Sequence, residues 1–275
     1  MFLKDFSFDL PEELIATKPA YPRDSSRLLF LDSMNSYKDS FFSNVCDYLQ
    51  SGDLLIVNNT KVNSSKIKGY NKNTKNEVEF TFIRNVKDGI WLCFALPGKK
   101  VNQGNFFIFR DIEGKIIKKD RESIYIDFGK KNNEFNELLS NFGQITLPPY
   151  ISKLRSFEEK DNDDYQTIYA RESGSIAAPT AGLHFTDKLL TKIKSKDIDI
   201  ENITLNIGPG TFLPLRNEEV EKNNLHSEQF YISEETAKTL NEAYKNNDRR
   251  IISVGTTSLR ALESSFDSVN YFKPL

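Results

Sequence analysis

The sequence has 275 residues, of which 38% are hydrophobic and 28% are charged, with a formal net charge of −2. This composition is typical of an ordinary globular chain of one or two domains with enough apolar residues for a core. No apolar run reaches the ~18 residues of a membrane-spanning helix, and the residues after Met1 do not form a secretory signal. We therefore expect a cytoplasmic protein with no membrane partner.

Cysteine and histidine are scarce, which bears on metal binding. The two cysteines, Cys46 and Cys93, are far apart, and the two histidines, His184 and His226, lie in separate segments. Without a Cys/His cluster at ligand spacing, the sequence predicts no metal site, and both cysteines are expected to be buried free thiols.

The positive charge is concentrated in one segment. Residues 61–131 carry 16 lysines and arginines against 8 aspartates and glutamates, a net of +8, whereas the rest of the chain has a net charge of −10. A basic segment within an acidic chain is a candidate phosphate-binding surface. The alternative is a solvated lysine-rich surface with no partner.

The first elements alternate between helix and strand. Residues 8–16 are predicted to form a turn followed by a short helix, Arg27 to Leu31 a buried strand, and Ser43 to Leu49 a helix. The apolar run Leu54 to Val57 predicts a second buried strand, which ends in a polar Asn-Asn-Thr cluster.

The basic segment differs from its surroundings because it contains only strand patterns. Val78, Phe80 and Phe82 alternate with polar residues, which is typical of a half-buried strand. Further strands are predicted at residues 91–96, 106–109 and 124–128, separated by short turns. Five or six closely spaced strands without helices predict a small β-barrel or sandwich over residues 62–131.

Alternation returns after residue 132. Helices are predicted at Phe135 to Phe142, after a Thr186 cap as far as about Lys194, and after a Ser233 cap. Strands are predicted at residues 200–207 and 250–254. The fold class is therefore α/β, with a discontinuous α/β domain of residues 1–61 and 132–275 and an inserted β-domain of residues 62–131.

Several predicted strands of the α/β domain end in loops of small or hydroxyl-bearing residues, and ligands of α/β folds bind at the carboxyl ends of strands. The Gly255 loop is the best candidate, because a helix start after a strand can bind an anion. Each loop could also be an ordinary turn. The candidate binding residues are Asn58, Asn59, Thr180, Ala181, Gly182, Gly208, Gly210, Thr211, Gly255, Thr256, Thr257 and Ser258.

Both histidines are candidates for general acid/base catalysis, because histidine titrates near neutral pH. His184 precedes a predicted helix, and His226 precedes a predicted strand with Glu228 close by. Either histidine could instead be structural, and Glu228 could orient His226 or be a surface acid. The sequence contains no Walker A loop, Rossmann glycine pattern, HExxH or G-x-S-x-G motif.

Taken together, several blocks resemble the S-adenosylmethionine:tRNA ribosyltransferase-isomerases of queuosine biosynthesis. The most specific block runs from Ala177 to Thr186, and the blocks follow the family order from about residue 8 to residue 264. The other blocks are residues 8–16, 22–29, 52–62, 147–151, 165–170, 208–212, 225–228 and 254–263.

The resemblance implies a barrel-like α/β catalytic domain with an inserted small β-barrel. It also implies transfer and isomerisation of the ribosyl group of S-adenosylmethionine onto 7-aminomethyl-7-deazaguanine in tRNA, giving epoxyqueuosine-tRNA, adenine and methionine. S-adenosylmethionine is then a consumed substrate, no cofactor is needed, and a monomer is expected. His184 and His226 become acid/base or orienting candidates, and Thr256 to Ser258 candidates for holding the methionine carboxylate.

The sequence departs from the family pattern in three places. Asn206 and Asn223 stand where the family usually has histidine, and family members continue well beyond Leu275. The resemblance therefore implies that C-terminal elements of the α/β domain are missing. A truncated, catalytically inactive tRNA-binding relative is the alternative, and a different S-adenosylmethionine-dependent enzyme on the same scaffold is a second one.

Overall fold

The computed structural model describes residues 1–32, 36–120, 123–212, 215, 217–223, 227–269 and 271–275, with the side chain of Phe212 left out. The chain divides into two compact units. One, the α/β unit, comprises Met1–Val62 and Pro149–Leu275, and the other, the barrel unit, comprises Asn63–Pro148.

The strands of the described residues are Arg27–Leu31 (β1), Tyr37–Phe41 (β2), Leu54–Asn58 (β3), Thr60–Val62 (β4), Lys66–Asn71 (β5), Glu77–Lys87 (β6), Ile90–Leu96 (β7), Phe106–Phe109 (β8), Ile112–Asp120 (β9), Ser123–Asp127 (β10), Glu172–Ser175 (β11), Asp199–Leu205 (β12), Phe230–Tyr231 (β13), Ile251–Ser253 (β14), Phe266–Asp267 (β15) and Tyr271–Phe272 (β16). The α-helices are Asn132–Phe142 (α1), Pro149–Ser152 (α2), Asp161–Asp164 (α3), Asp187–Lys194 (α4), Glu234–Lys245 (α5) and Thr256–Ser265 (α6). No helix of the described residues is both long and apolar enough to cross a membrane.

The barrel unit is a closed barrel with strand order β10-β7-β6-β5-β8-β9. Its interior is mainly aromatic and aliphatic, and the alternating residues Val78, Phe80 and Phe82 are all at most 2% exposed, which confirms the predicted half-buried strand. Two glycines make room for the rings, because a Cβ on Gly69 or Gly114 would lie 2.6 Å from a phenylalanine ring carbon. The mixed α/β class with a closed barrel agrees with the sequence prediction.

The barrel unit ends later in the chain than we expected. Helix α1 belongs to it, because Phe135 of that helix is fully buried in the barrel core and stacks on Phe128 with ring centroids 3.8 Å apart. The expected boundary at residue 131 therefore differs from the observed one at Pro148. Helix α1 could not be assigned to the barrel from its own sequence, because the other rings around Phe135, those of Phe82, Trp91 and Phe109, come from distant strands.

The α/β unit is built on a four-stranded sheet with order β13-β12-β3-β14, which is open at its ends. Strands β12, β3 and β14 are parallel, and β13 is antiparallel to β12. Leu54 and Ile56 belong to a core cluster with α5 and α6, whereas Leu55 belongs to a cluster with α4. Burial on both faces explains the continuous apolar run of β3, which is typical of parallel sheets.

Helix caps in the α/β unit follow the sequence prediction. The Thr186 side chain accepts a hydrogen bond from the Leu189 N–H at the start of α4, and Ser233 accepts one from Thr236 at the start of α5.

The prediction of a buried strand at β1 was wrong, because Leu29 and Leu31 are 64% and 61% exposed. Among the described residues, strand β1 pairs only with β2, and one face of this hairpin is open to solvent.

Candidate active site

Three parallel strands of the α/β unit end at the same edge of the sheet. Strand β3 ends at Asn58, β12 at Leu205 and β14 at Ser253. The segments that follow them contain most of the candidate binding residues. The carboxyl edge of such a sheet is where α/β folds bind their ligands.

Asn58 has its hydrogen-bonding capacity filled by the protein itself. Its Oδ1 accepts from the N–H groups of Thr60 and Leu205, at 3.1 and 3.0 Å. Its Nδ2 donates to the Leu205 carbonyl at 3.0 Å and to Thr257 Oγ1 at 3.3 Å. This buried amide therefore ties β3 to β12 and to α6. Asn59 is also engaged, because its Oδ1 accepts from Thr204 Oγ1 at 2.7 Å.

A second polar cluster lies where β4, β11 and the end of β12 meet. Thr60 Oγ1 donates to Asn206 Oδ1 at 2.9 Å and contacts Ser175 Oγ at 3.0 Å. Ser175 Oγ in turn accepts from the Ile207 N–H at 2.7 Å. Asn206, which stands where the family usually has histidine, therefore has a structural contact here through its side-chain oxygen.

The start of α6 is the part of this edge whose backbone is suited to an anion. Gly255 has φ +86°, a conformation that favours glycine, and α6 begins directly after it. Thr256 is exposed, Thr257 is half-buried, and Ser258 is buried and donates to the Val254 carbonyl at 3.0 Å. The first N–H groups of any helix lack partners inside the helix and carry partial positive charge.

The 3-10 helix Thr180–His184 lies beside this helix start. A Cβ on Gly255 would lie 3.1 Å from the Ala181 Cβ, so the two loops are in close contact. A Cβ on Gly182 would lie 2.1 Å from the Tyr169 hydroxyl and 2.9 Å from Thr167. Glycine is therefore required at position 182 by close packing.

Sequence reasoning missed Thr167 and Tyr169 as neighbours of the candidate loops. Thr167 is 5% exposed, and its hydroxyl is buried without a hydrogen-bond partner among the described residues. Burial raises the pKa of the Tyr169 phenol, which keeps it protonated at neutral pH. Both belong to the block at residues 165–170 that carried part of the resemblance, but no spacing in the sequence connects that block to Gly182.

His184 is half-buried and held by the N-terminal segment. Its Nδ1 is 2.8 Å from Ser26 Oγ, and its ring centroid is 5.2 Å from that of Phe42. Burial lowers the pKa of His184, and a hydrogen bond with the Arg23 backbone partly opposes this effect. The ring is therefore neutral at pH 7, a state in which imidazole can accept a proton.

The remaining candidates form a separate group. Gly208 donates its N–H to Glu228 Oε1 at 2.9 Å, and the other carboxylate oxygen of Glu228 accepts from Arg260 at 2.5 Å. Glu228 thus fixes the loop after β12. Gly210 and Thr211 lie in the 3-10 helix Pro209–Phe212. His226 lies outside the described residues.

The described residues hold no group of three histidine, cysteine, aspartate or glutamate side chains arranged to bind a metal ion. Two contacts join the candidate binding residues. Ala181 lies close to Gly255, and the Asn58 side chain is hydrogen-bonded to Thr257. No hydrogen bond in this part of the chain joins Gly210 or Thr211 to the start of α6.

Comparison with known proteins identifies relatives of the chain. It is 38% identical to the S-adenosylmethionine:tRNA ribosyltransferase-isomerase of Halothermothrix orenii, with 100% of this chain and 80% of the relative covered. It is 44% identical to the protein of the same name from Fusobacterium nucleatum, with 97% of this chain and 75% of the relative covered.

A solved structure and a family model extend this comparison. The S-adenosylmethionine tRNA ribosyltransferase of Thermotoga maritima is 25% identical over 94% of this chain and 72% of that chain, with a TM-score of 0.43. The family model described as queuosine biosynthesis protein matches residues 3–274. The resemblance that the motifs predicted is confirmed, and the chain belongs to the family of queuosine biosynthesis proteins.

Proposed function

We propose that this chain transfers the ribosyl moiety of S-adenosylmethionine to 7-aminomethyl-7-deazaguanine in tRNA and isomerises it, giving epoxyqueuosine-tRNA, adenine and methionine. The observation that carries the proposal is the 38–44% identity to S-adenosylmethionine:tRNA ribosyltransferase-isomerases along 97–100% of the chain. In this proposal S-adenosylmethionine is consumed, no further cofactor takes part, and the enzyme acts as a cytoplasmic monomer.

The reaction defines which groups the protein must supply. The sulfonium of S-adenosylmethionine acidifies the neighbouring C5′ proton, so a base must remove that proton. Adenine leaves more readily when an acid protonates it. The nucleophile is the aminomethyl group of the tRNA base, so the protein needs no nucleophile of its own. The protein must therefore provide binding, orientation and proton transfer.

The start of α6 is our proposed site for the methionine carboxylate. The positive end of the helix dipole and the N–H groups of Thr256, Thr257 and Ser258 suit a carboxylate. Gly255 allows the turn that brings the chain from β14 into α6, since its φ of +86° strains other residues. Asn58 supports this placement, because its hydrogen bond to Thr257 fixes the helix start to β3.

His184 is our proposed proton acceptor or donor. Its lowered pKa keeps it neutral at pH 7, and it belongs to the same 3-10 helix as Ala181, which contacts the start of α6. Ser26 orients the ring through Nδ1. His226 remains a second acid/base candidate on the family resemblance alone, because it lies outside the described residues.

The test is turnover of both substrates. Purified protein is incubated with S-adenosylmethionine and tRNA bearing 7-aminomethyl-7-deazaguanine, and released adenine and tRNA nucleosides are quantified. We expect one adenine for each epoxyqueuosine formed, and none with the same tRNA carrying guanine at that position. Absence of adenine, beside an active full-length relative, contradicts the proposal and favours the alternative of an inactive tRNA-binding relative.

A further inference from the structure

One wall of the barrel unit has its positive charges neutralised. On strands β5 and β6, Lys66 pairs with Glu79 and Lys68 pairs with Glu77, both at 2.7 Å. Tyr70 donates its hydroxyl to Glu77 at 2.8 Å. The lysines of this wall therefore add little to the net positive charge of the barrel segment.

The wall around β10 is different. Strand β10 lies opposite β5 in the closed barrel, three strands away in either direction. Across its outer face, Lys118 on β9 pairs in register with Tyr125 on β10, Tyr125 with Leu92 on β7, and Leu92 with Arg84 on β6. Lys118 Nζ lies 5.4 Å from the centre of the Tyr125 ring. Neither Lys118 nor Arg84 has a carboxylate partner within the described parts of the chain.

A second aromatic ring lies on the neighbouring strands. Phe106 on β8 pairs in register with Lys115 on β9. The Nζ atoms of Lys115 and Lys72 are 5.6 and 5.7 Å from the centre of the Phe106 ring. Lys72 also pairs with Glu113 at 2.6 Å, whereas Lys115 has no carboxylate partner among the described residues.

Rings flanked by cations suit one class of nucleic acid in particular. An unpaired base can stack on a ring while a neighbouring cation contacts the phosphate, and the bases of a duplex are not accessible for such stacking. Phe106 and Tyr125 are half-buried, so their rings are held in place and remain partly accessible. Lysines alone would bind duplex and single strands through phosphate charge without this preference.

We propose that Phe106, Lys115, Lys118 and Tyr125, on the neighbouring strands β8, β9 and β10 and here named the aromatic–lysine wall, bind the unpaired loop of an RNA. This inference rests on the proposed function, since it assigns the tRNA loop to a particular surface of the barrel unit. The wall holds bases by stacking on Tyr125 and Phe106, and its unpaired cations contact the loop phosphates.

The test compares two tyrosines on opposite sides of the barrel. Fluorescence anisotropy measures the Kd of a labelled RNA hairpin with an unpaired loop, and of a blunt duplex of the same stem, without S-adenosylmethionine. Tyr125→Ala should raise the Kd for the hairpin about tenfold through lost stacking and leave the duplex unchanged. Tyr70→Ala, the matched control on the neutralised wall, should change neither Kd by more than about twofold.

Charge is tested with a second matched pair. Lys118→Ala should reduce the salt dependence of hairpin binding by about one released counterion, whereas Lys68→Ala should reduce it by less because Glu77 already pairs with Lys68. Thermal melting of each variant controls for folding. Equal effects of Tyr125→Ala and Tyr70→Ala, or an unchanged hairpin Kd in Tyr125→Ala, overturn the inference. Because binding is measured without turnover, it can succeed where the proposed reaction fails, or fail where that reaction succeeds.

Discussion

The two units of the chain use their polar side chains in different ways. At the carboxyl edge of the α/β sheet, the side chains of Asn58, Thr60 and Ser175 bond to one another's strands and loops. In the barrel unit, an aromatic interior around Phe82 and Phe135 supports the fold, and charged residues lie outside. Side chains at the sheet edge therefore hold the structure while backbone groups remain for a ligand. On the barrel, Lys66 and Lys68 are paired with glutamates, whereas Lys115 and Lys118 have no carboxylate partner among the described residues.

The largest expected effect is in the barrel core. Phe135→Ala removes a fully buried ring that contacts Phe82, Phe109 and Phe128, so it should destabilise the barrel unit by about 3–5 kcal/mol. Chemical denaturation followed by Trp91 fluorescence measures this loss. The control is Phe142→Ala on the same helix, which is 51% exposed and should cost less than about 1 kcal/mol. Equal losses of unfolding free energy in the two variants would contradict the view that the aromatic interior is the main source of the barrel unit's stability.

The next largest loss of stability is expected at Asn58, whose side-chain hydrogen bonds connect β3 to β12 and to α6. Asn58→Ala leaves the Leu205 carbonyl and two buried N–H groups without their side-chain partner, so it should cost about 3 kcal/mol in free energy of unfolding. Asn59→Ala loses one side-chain hydrogen bond, from Thr204, and should cost about 1 kcal/mol. Urea denaturation measures both. If Asn58→Ala proves as stable as the unaltered protein and only weakens substrate binding, Asn58 is a ligand-binding residue instead.

A smaller loss of stability is expected from a substitution at Gly182, which packs against Tyr169. Gly182→Ala places a methyl group against the Tyr169 hydroxyl and should cost about 2 kcal/mol through overpacking. Tyr169→Phe removes that hydroxyl, so adding it to Gly182→Ala should recover part of the loss, as a thermal-melt double-mutant cycle would show. Strict additivity of the two substitutions would mean that this contact does not restrict position 182.

The smallest effect concerns His184 and pH. Because burial lowers its pKa in the folded state, the unfolded chain binds a proton that the folded protein does not bind as pH falls below about 6.5. Stability should therefore be complete above that pH and decrease below it, with a slope of at most about 1.4 kcal/mol per pH unit from this group. Urea denaturation at pH 7 and pH 5.5 should show a smaller difference for His184→Asn than for the unaltered protein. An unchanged difference would mean that His184 titrates alike in both states.

Much of the fold could be predicted from local pattern. The apolar run of β3 and the alternation in β6 follow directly from burial on two faces and on one face. The Thr186 and Ser233 caps were predicted because capping depends on neighbours within three residues. Periodicity, however, could not show that β1 lies in an exposed hairpin, because its burial depends on what covers it.

The candidate site was less predictable because its contacts join distant parts of the chain. Ser26 and His184 are 158 positions apart, and Asn58 and Thr257 are 199 apart. The sequence indicated which loops follow the strands, but not that the Asn58 amide is already satisfied or that Tyr169 packs against Gly182. Residue type alone does not distinguish a side chain that stabilises the fold from one that binds a ligand.

An NMR titration of the isotope-labelled protein with S-adenosylmethionine tests directly whether the substrate binds at the start of α6. We expect the amide signals of Thr256, Thr257 and Ser258 to shift in proportion to occupancy, because we propose that the methionine carboxylate accepts from these N–H groups. Amides of the barrel unit, such as those of β5 and β6, should not move. Shifts confined to the barrel unit, or saturating binding with no shift at the start of α6, would contradict the placement of the substrate at this edge of the sheet.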